Sequence, residues 1–365
     1  MNILLISYRF YEYDGRLREL INISKTLGST IYITRSNGNV LDKEESHILI
    51  STKDGFWGYI KFVFKTVNLA LQNKDMNVLF VDDRRAVLPA LIIKLFRNSL
   101  TVIQDVRELW IAEEVKHLRG KIGCFFEKKL IKQADFLICA NSYRAKIMKE
   151  YYSLSEEPLV YENIRILSFS KEHSEIETHN KLSKYIEREA FRIIVTSGCD
   201  ISRTTDKLVL AMKDLSNEFE LLIVGGGSKE DEKIITELIE KNEINNIKLI
   251  GRLGENELKY LIQKCDLGVV NYNQIDTNNK YCASGKIYEF TNEGLPVVTT
   301  ENIPLIEMVN QFGIGVADDN YVNGILIIKE NYEEYKKNAC LFSQKIDVKN
   351  NNFKLACKIK ELLKI

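Results

Sequence analysis

The sequence predicts an α/β protein built as two doubly wound, parallel-sheet domains in tandem, and three observations carry that expectation. Short apolar strands alternate with stretches of helical periodicity along the first half of the chain. The same alternation begins again after a polar interruption. The 365 residues suit two domains of ordinary size. Residues 1–165 are read as the first domain, 166–189 as a linker and 190–345 as the second domain. The last residues, 346–365, are read as a helix that returns to the first domain.

In the first half, strands are expected at Ile3–Ser7, Ile31–Thr34, His47–Ile50, Val78–Val81, Leu100–Ile103 and Phe136–Ala140, with a weaker one at Pro158–Tyr161. Helical periodicity fills gaps between them at Arg16–Leu27, Phe56–Leu71, Val87–Phe96, Gly120–Lys132 and Ser142–Tyr152. Strands that read as unbroken apolar runs belong to a parallel sheet covered on both faces. Asn163 to Glu189 carries no sustained apolar pattern, hence the linker. Strands resume at Phe191–Thr196, Glu220–Val224, Ile247–Ile250, Leu267–Asn271, Pro296–Thr299 and Gly315–Ala317. Helices are expected at Thr205–Leu215, Glu230–Asn242, Glu255–Cys265 and Gly285–Glu293. The segment Phe353–Ile365 reads as amphipathic.

Composition narrows the function. Lysine plus arginine equals aspartate plus glutamate, 51 each, so no overall charge points to nucleic acid. Four scattered histidines give no metal-ligand spacing, and no metal or cofactor is expected. Seven cysteines form no CxxC and read as reduced, buried thiols of a cytoplasmic protein. No apolar run reaches the roughly 18 residues of a spanning helix. Met1 leads straight into a strand, which is read as leaving no room for a secretion signal. Phe56–Lys65 and the region around Phe125 mix aromatics with lysines. They read either as packing helices with solvated lysines or as a weak contact with a membrane surface.

Ligands on such sheets bind beyond the carboxyl ends of the strands, so the candidate residues lie in the loops there. The stretch Tyr281 to Thr300 is the strongest candidate. Ser284 reads as a helix cap, Gly285 as the opening, and Gly294 with Pro296 as the close. Lys286 adds positive charge where helix amides are unpaired, which suits a phosphate or diphosphate. Glu289, on the same helical face, is placed to reach a neighbouring group such as a ribose diol. A plain capped helix with a Lys286–Glu289 ion pair is the alternative. Arg203 stands five residues beyond Gly198 and is read as completing a two-cation clamp with Lys286, the alternative being two unrelated surface cations. Gly198, Gly225, Gly226 and Gly251 follow strands and permit backbone approach to a ligand. Neither GxGxxG nor GxxxxGK[ST] is present. In the first half, Asp14, Gly15 and Arg16 follow the first strand. There Gly15 is weighed as a phosphate contact against a plain Asp14 cap. Asp105, Arg107 and Glu108 are read as a cleft wall, or as a solvated ion-pair cluster.

These pieces, in this order, resemble the GT-B glycosyltransferases, and within them the retaining family 4 group. Asp14-Gly-Arg16 is similar to the family's loop after the first strand. Asp105-Val-Arg107-Glu108-Leu-Trp110 is similar to an element near acceptor and sugar. Glu127 through Ala140 with Tyr161-Glu-Asn163 matches the pattern closing the first domain. Gly198 with Arg203, Leu222 to Gly227, and Gly251-Arg252-Leu253 resemble the diphosphate and nucleobase loops. Ser284-Gly285-Lys286 through Glu289 to Gly294-Leu-Pro-Val resembles the family's signature helix. Two departures stand out: Tyr281 occupies the place of a family glutamate, and Thr204 that of a glycine.

The resemblance implies two Rossmann-like domains with a cleft between them, and sugar transfer from a nucleotide diphosphate donor, UDP favoured over GDP. The acceptor hydroxyl would belong to a glycan, a lipid-linked molecule or a protein. It further implies catalysis without a metal, with Arg203, Lys286, Asp105, Arg107 and Glu108 as the catalytic set and retention of configuration. Glu289, Ser284, Gly285, Gly198, Gly225, Gly226, Gly251, Arg252, Leu253, Asp14, Gly15 and Arg16 would bind substrate. The expected setting is surface-glycan synthesis in the cytoplasm, at the inner face of the membrane. A non-catalytic partner subunit of this fold and a UDP-sugar epimerase remain as alternatives.

Overall fold

The computed structural model describes residues 1–11, 14–36 and 46–364, which divide into two compact units. The first comprises Met1–Asn163 with Val348–Ile365, and the second Ile164–Asp347. Glu12 and Tyr13, which the sequence reading places in the loop before Asp14, lie outside the described residues.

The first unit runs β1 (Asn2–Phe10), α1 (Gly15–Leu27), β2 (Ser29–Ser36), β3 (His47–Ser51), α2 (Phe56–Gln72) and β4 (Val78–Asp82). It continues with α3 (Val87–Phe96), β5 (Thr101–Val106), α4 (Leu118–Ile131), β6 (Phe136–Cys139), α5 (Ser142–Tyr152) and β7 (Leu159–Val160). All seven strands are parallel, in the order β3-β2-β1-β4-β5-β6-β7. The order reverses between β1 and β4, so their carboxyl ends part there and leave a crevice. Residues on alternate sides of β1 enter different cores. Leu4 and Ile6 pack with α2 and α3, whereas Ile3 and Leu5 pack with α1.

The second unit begins with α6 (Glu175–Leu182), then β8 (Phe191–Val195), α7 (Thr205–Asp214), β9 (Phe219–Val224), α8 (Lys229–Lys241) and β10 (Ile247–Ile250). It continues with α9 (Glu255–Ile262), β11 (Leu267–Val270), α10 (Thr277–Lys280), α11 (Lys286–Asn292) and β12 (Val297–Thr299). Next come α12 (Ile303–Phe312), β13 (Gly315–Ala317), α13 (Tyr321–Glu330) and α14 (Tyr332–Ser343). Its six parallel strands follow the order β10-β9-β8-β11-β12-β13, and the reversal falls between β8 and β11. Gly268 in β11 lets α11 settle directly on the sheet. A β-carbon there would lie 2.4 Å from the fully buried Phe290 ring. This contact seats the short helix that carries Lys286 and Glu289.

The expected alternation of strands and helices is present, with three corrections. The polar run 166–189 is no free linker: Leu167 and Leu182 are buried in the second unit's core, the Ser168 and Ser170 amides donate to Glu255 Oε1 and Asn256 Oδ1 at the start of α9, and Asn256 Nδ2 donates to Ser170 Oγ. Burying two leucines suffices, although their neighbours remain polar. Helices α12, α13 and α14 lacked an expected counterpart. Finally, α15 (Val348–Leu363) starts earlier than the amphipathic pattern and packs on α1 through Leu355, Ala356 and Ile359. Tyr161 donates to Asn352 Oδ1 at 2.7 Å and fastens it. All seven cysteines are free; Cys340 and Cys357 are exposed rather than buried. Among the described residues no helix is long and apolar enough to cross a membrane.

Candidate functional site

At the carboxyl edge of the first sheet the acidic and basic residues picked out from the sequence meet one another. Asp14 caps α1 by accepting from the Leu17 amide at 2.9 Å, and its carboxylate also receives Arg107 Nη1 at 2.7 Å. The Arg107 guanidinium grips Asp82 through two bonds of 2.5 and 2.8 Å, and Ser7 donates to the same carboxylate. Arg16 holds Asp105 with two bonds of 2.8 and 2.7 Å and donates to the Tyr161 carbonyl. Asp82 and Asp105 have no exposure at all.

The cluster is buried rather than solvated: it is a brace joining the ends of β1, β4 and β5, in which Asp105, Arg107 and Arg16 are paired with one another and with Asp14 and Asp82. Gly15 serves as the first residue of α1. Burial alone would raise the Asp14 carboxyl, but the charge and hydrogen bonds of Arg107 outweigh it and hold it below its ordinary range. Of the set, Glu108 keeps an open side chain, 3.5 Å from Arg144. Asp82 opens a strand-end segment, Asp82–Arg85, that carries no recognisable motif, and Arg144, which donates to the Arg107 carbonyl, falls in none either.

The carboxyl edge of the second sheet is built differently. Polar and stacking contacts cross its switch point. Ser197 donates to Asn271 Oδ1 at 2.9 Å, Asn273 Nδ2 donates to the Ser202 carbonyl at 2.6 Å, and the Arg203 guanidinium stacks 4.0 Å above the Tyr272 ring. Fully buried Asn302 donates to the carbonyls of Asn273 and Asn279, fixing the segment that leads to Tyr281. Asn302 was also missed, because a lone asparagine opening a helix reads as an ordinary cap.

Thr204 adopts φ +61°, the left-handed region where the resembled family places glycine. Its hydroxyl shares a 2.6 Å hydrogen bond with Tyr321, which holds the strained turn that presents Arg203. Gly198, at φ +69°, lies against Gly226: a β-carbon on it would sit 2.2 Å from the Gly226 carbonyl oxygen. Gly198 and Gly225 therefore serve close loop packing first. Gly225 also donates its amide to the carbonyls of Ile250 and Gly251. Gly251 has open space around it, Arg252 is exposed, and Leu253 packs partly into the core.

At the opening of α11, Ser284 does not cap. Gly285 takes the capping position without a side-chain bond, and the buried Ser284 hydroxyl has no hydrogen-bond partner. Lys286 follows, partly buried, with no carboxylate in ion-pairing distance among the described residues. Burial and then the neighbouring Arg203 charge push its ammonium down to about 8, only partly opposed by Glu289. Glu289, 3% exposed, pairs instead with Arg165 at 2.9 Å. Burial pushes its carboxyl upward against the pull of Arg165 and Lys286. The structure thus joins Arg203, Lys286, Ser284 and Glu289 in one place within the second unit, and adds Arg165, which no motif had flagged. Two like charges close enough to shift one another's titration, with an idle hydroxyl two residues before Lys286, suit a multiply charged anion. Among the described residues no group of three or more histidine, cysteine or acidic side chains is disposed to hold a metal ion.

Comparison with known proteins bears on the fold. Residues 193–341 match the family described as glycosyl transferases group 1. No curated protein is similar enough in sequence to be matched to the chain. Among solved structures, Anabaena HepE in complex with UDP-glucose superposes with a TM-score of 0.76 at 16% identity, covering 99% of this chain and 100% of that one. Sucrose-phosphate synthase from Thermosynechococcus elongatus gives 0.76 at 15% identity, with 99% of both chains covered. WaaG, a glycosyltransferase involved in lipopolysaccharide biosynthesis, gives 0.67 at 14% identity, covering 97% of this chain and 98% of that one. The fold is therefore GT-B along the whole chain, as the motifs implied.

The buried brace makes a stability prediction. Arg107→Met strands the Asp82 and Asp14 carboxylates and is expected to cost about 3–5 kcal/mol in urea unfolding. A variant as stable as the parent would show that the brace contributes nothing to folding.

Proposed function

Given a chain of the GT-B fold whose second unit matches the group 1 glycosyl transferases, we propose an enzyme that moves a sugar from a nucleotide diphosphate donor to an acceptor hydroxyl. The observation that carries this reading is the pair Arg203 and Lys286, brought together without an acidic partner beside the unsatisfied Ser284 hydroxyl. Such a site lacks only an anion. UDP is the favoured nucleotide, in keeping with the UDP-glucose bound to HepE.

The chemical task is to stabilise charge on the leaving group. As the bond between anomeric carbon and diphosphate oxygen breaks, its electron pair leaves on the diphosphate. Arg203 and Lys286 face that growing charge, and Ser284 can donate to it. A preorganised donor of this kind is worth about 3–4 kcal/mol in a water-poor site. The acceptor oxygen bonds the same carbon, and its proton passes to the departing phosphate oxygen. No protein base is then required, and configuration is retained. The cations do this without a metal ion. Glu289, steadied by Arg165, holds the ribose hydroxyls, and the open backbone at Gly251 with Arg252 and Leu253 accommodates the base. In this reading Asp105, Arg107 and Arg16 are positioning residues, acting through the loop that bears Glu108. The role of WaaG in lipopolysaccharide biosynthesis supports placing the reaction in surface-glycan synthesis.

Glu289→Ala is expected to lower turnover by roughly a hundredfold, about 2.7 kcal/mol. Unchanged kinetics in a folded variant would remove Glu289 from the site. Arg203→Ala should weaken binding of UDP far more than binding of uridine, as read by calorimetry. Equal losses for both would contradict a diphosphate clamp.

A further inference from the structure

Thr204 is strained, and the strain lies beside the cation Arg203. Among the described residues Thr204 alone joins a β-branched side chain to a left-handed backbone, with φ +61° and ψ +25°. Glycine adopts that backbone at no steric cost, whereas threonine on its own leaves it. Strain of this kind persists only where the surroundings over-determine it, and it gathers at working sites. The groups that hold Thr204 therefore carry information about function.

The backbone supplies part of the hold. Thr204 closes the single turn Ile201–Arg203 by donating its amide to the Ile201 carbonyl at 2.9 Å, and its own carbonyl accepts from the Leu208 amide at 3.3 Å as α7 begins. Any residue could make both bonds. The rest comes from the side chain, through the 2.6 Å bond between its hydroxyl and the Tyr321 phenol. Tyr321 is the first residue of α13, 2% exposed, with its ring in the core beside Leu208, Val209 and Ile325. Burial pushes the phenol upward, so it stays a neutral hydroxyl that can both donate and accept.

The phenol belongs to a network. Asn271, also 2% exposed, hydrogen-bonds the same group. Its Oδ1 accepts from Ser197 at 2.9 Å, and its Nδ2 reaches Thr205 Oγ1 at 3.4 Å. Thr205 in turn donates to the Gly198 carbonyl at 3.1 Å. One set of buried hydroxyls and one amide thus join the loop after β8, the start of α7, the end of β11 and the start of α13. Arg203 stands one residue before the left-handed position, its guanidinium 4.0 Å above the ring of Tyr272, the residue after Asn271. Relaxing Thr204 to the right-handed region turns φ by about 120° and swings Arg203 relative to α7.

We propose that Tyr321 is a positioning residue for the donor diphosphate: its hydroxyl, acting through Thr204 with Asn271 behind it, fixes the turn that aims Arg203, and so replaces the glycine of the resembled family. The identity of the ligand rests on the sugar-transfer reading above; the aim of Arg203 does not.

The test is a double-mutant cycle on the full chain, read by calorimetry with UDP and with uridine, and by melting temperature. Tyr321→Phe keeps the buried ring and removes one hydroxyl. It should bind UDP roughly tenfold more weakly, about the worth of one hydrogen bond, and uridine as before. The same change made in a Thr204→Gly background should cost less than twofold, because glycine needs no hydroxyl to remain left-handed. UDP binding untouched by Tyr321→Phe would overturn the proposal, as would a tenfold loss that persists beside Gly at position 204. Equal losses for UDP and uridine with a lowered melting temperature would show a merely structural tyrosine. The Lys286 ammonium supplies a readout that needs no nucleotide. Arg203 depresses it, so Tyr321→Phe should raise its titration midpoint, and should not do so in the Thr204→Gly background. That pattern in a chain that fails to bind UDP would refute the donor reading and leave the positioning role standing. A midpoint unmoved by Tyr321→Phe would refute the positioning role itself.

Discussion

The account depends on the proximity of two positive charges that the protein does not neutralise. Lys286 at the start of α11 and Arg203 before α7 repel one another, and burial makes the ammonium costlier still. The nearest acid, Glu289, is committed to Arg165. A fold maintains such an arrangement at a cost in stability, which the proposed diphosphate would offset. The Ser284 hydroxyl beside it is buried with no hydrogen-bond partner.

The scaffold around these groups explains how the repulsion is contained. Polar and stacking contacts bridge the loops after β8 and β11, and Asn302 braces the second of them from below. Glycines 198 and 227 face the neighbouring loop so closely that a β-carbon would lie 2.2 Å from the Gly226 carbonyl oxygen and 2.4 Å from that of Cys199, respectively. Opposite them, Phe290 fills the space left by Gly268 and seats α11 on the sheet. The first unit uses the equivalent edge quite differently. Its charges are paired and buried among Asp14, Arg16, Asp82, Asp105 and Arg107, and its open surface is apolar and basic. One topology, repeated, thus yields a site that lacks an anion and a brace that lacks nothing.

Much of this was legible in the sequence, for reasons that can be stated. Apolar runs such as Leu4 to Ile6 and Leu221 to Val224 are buried on both faces, so periodicity found the strands. The stretch from Ser284 to Gly294 and the cation at Arg203 stood out because charge beside a helix opening is a local pattern, and the structure does bring Arg203 and Lys286 together. Long-range pairing was not legible. Nothing near Asp82 in the sequence announces Arg107, and nothing near Arg165 announces Glu289. A residue that looks like a free catalytic cation can be one half of a buried pair. The departure at Thr204 was visible as a letter, but only its left-handed backbone and the Tyr321 hydrogen bond show what it requires. Likewise, Ser284 read as a cap because serine caps helices, whereas the helix opens one residue later and leaves the hydroxyl unused.

The most direct measurement is the titration of the Lys286 ammonium by NMR on isotope-labelled lysine, its signal assigned by its loss in Lys286→Met, in the free protein and with UDP. The account predicts a midpoint near 8 in the free protein, because burial and Arg203 favour the neutral amine. The bound diphosphate should restore the charged form and move the midpoint upward, with proton uptake on binding above that pH. A free-protein midpoint at the ordinary lysine value of about 10.4, unmoved by UDP, would contradict it.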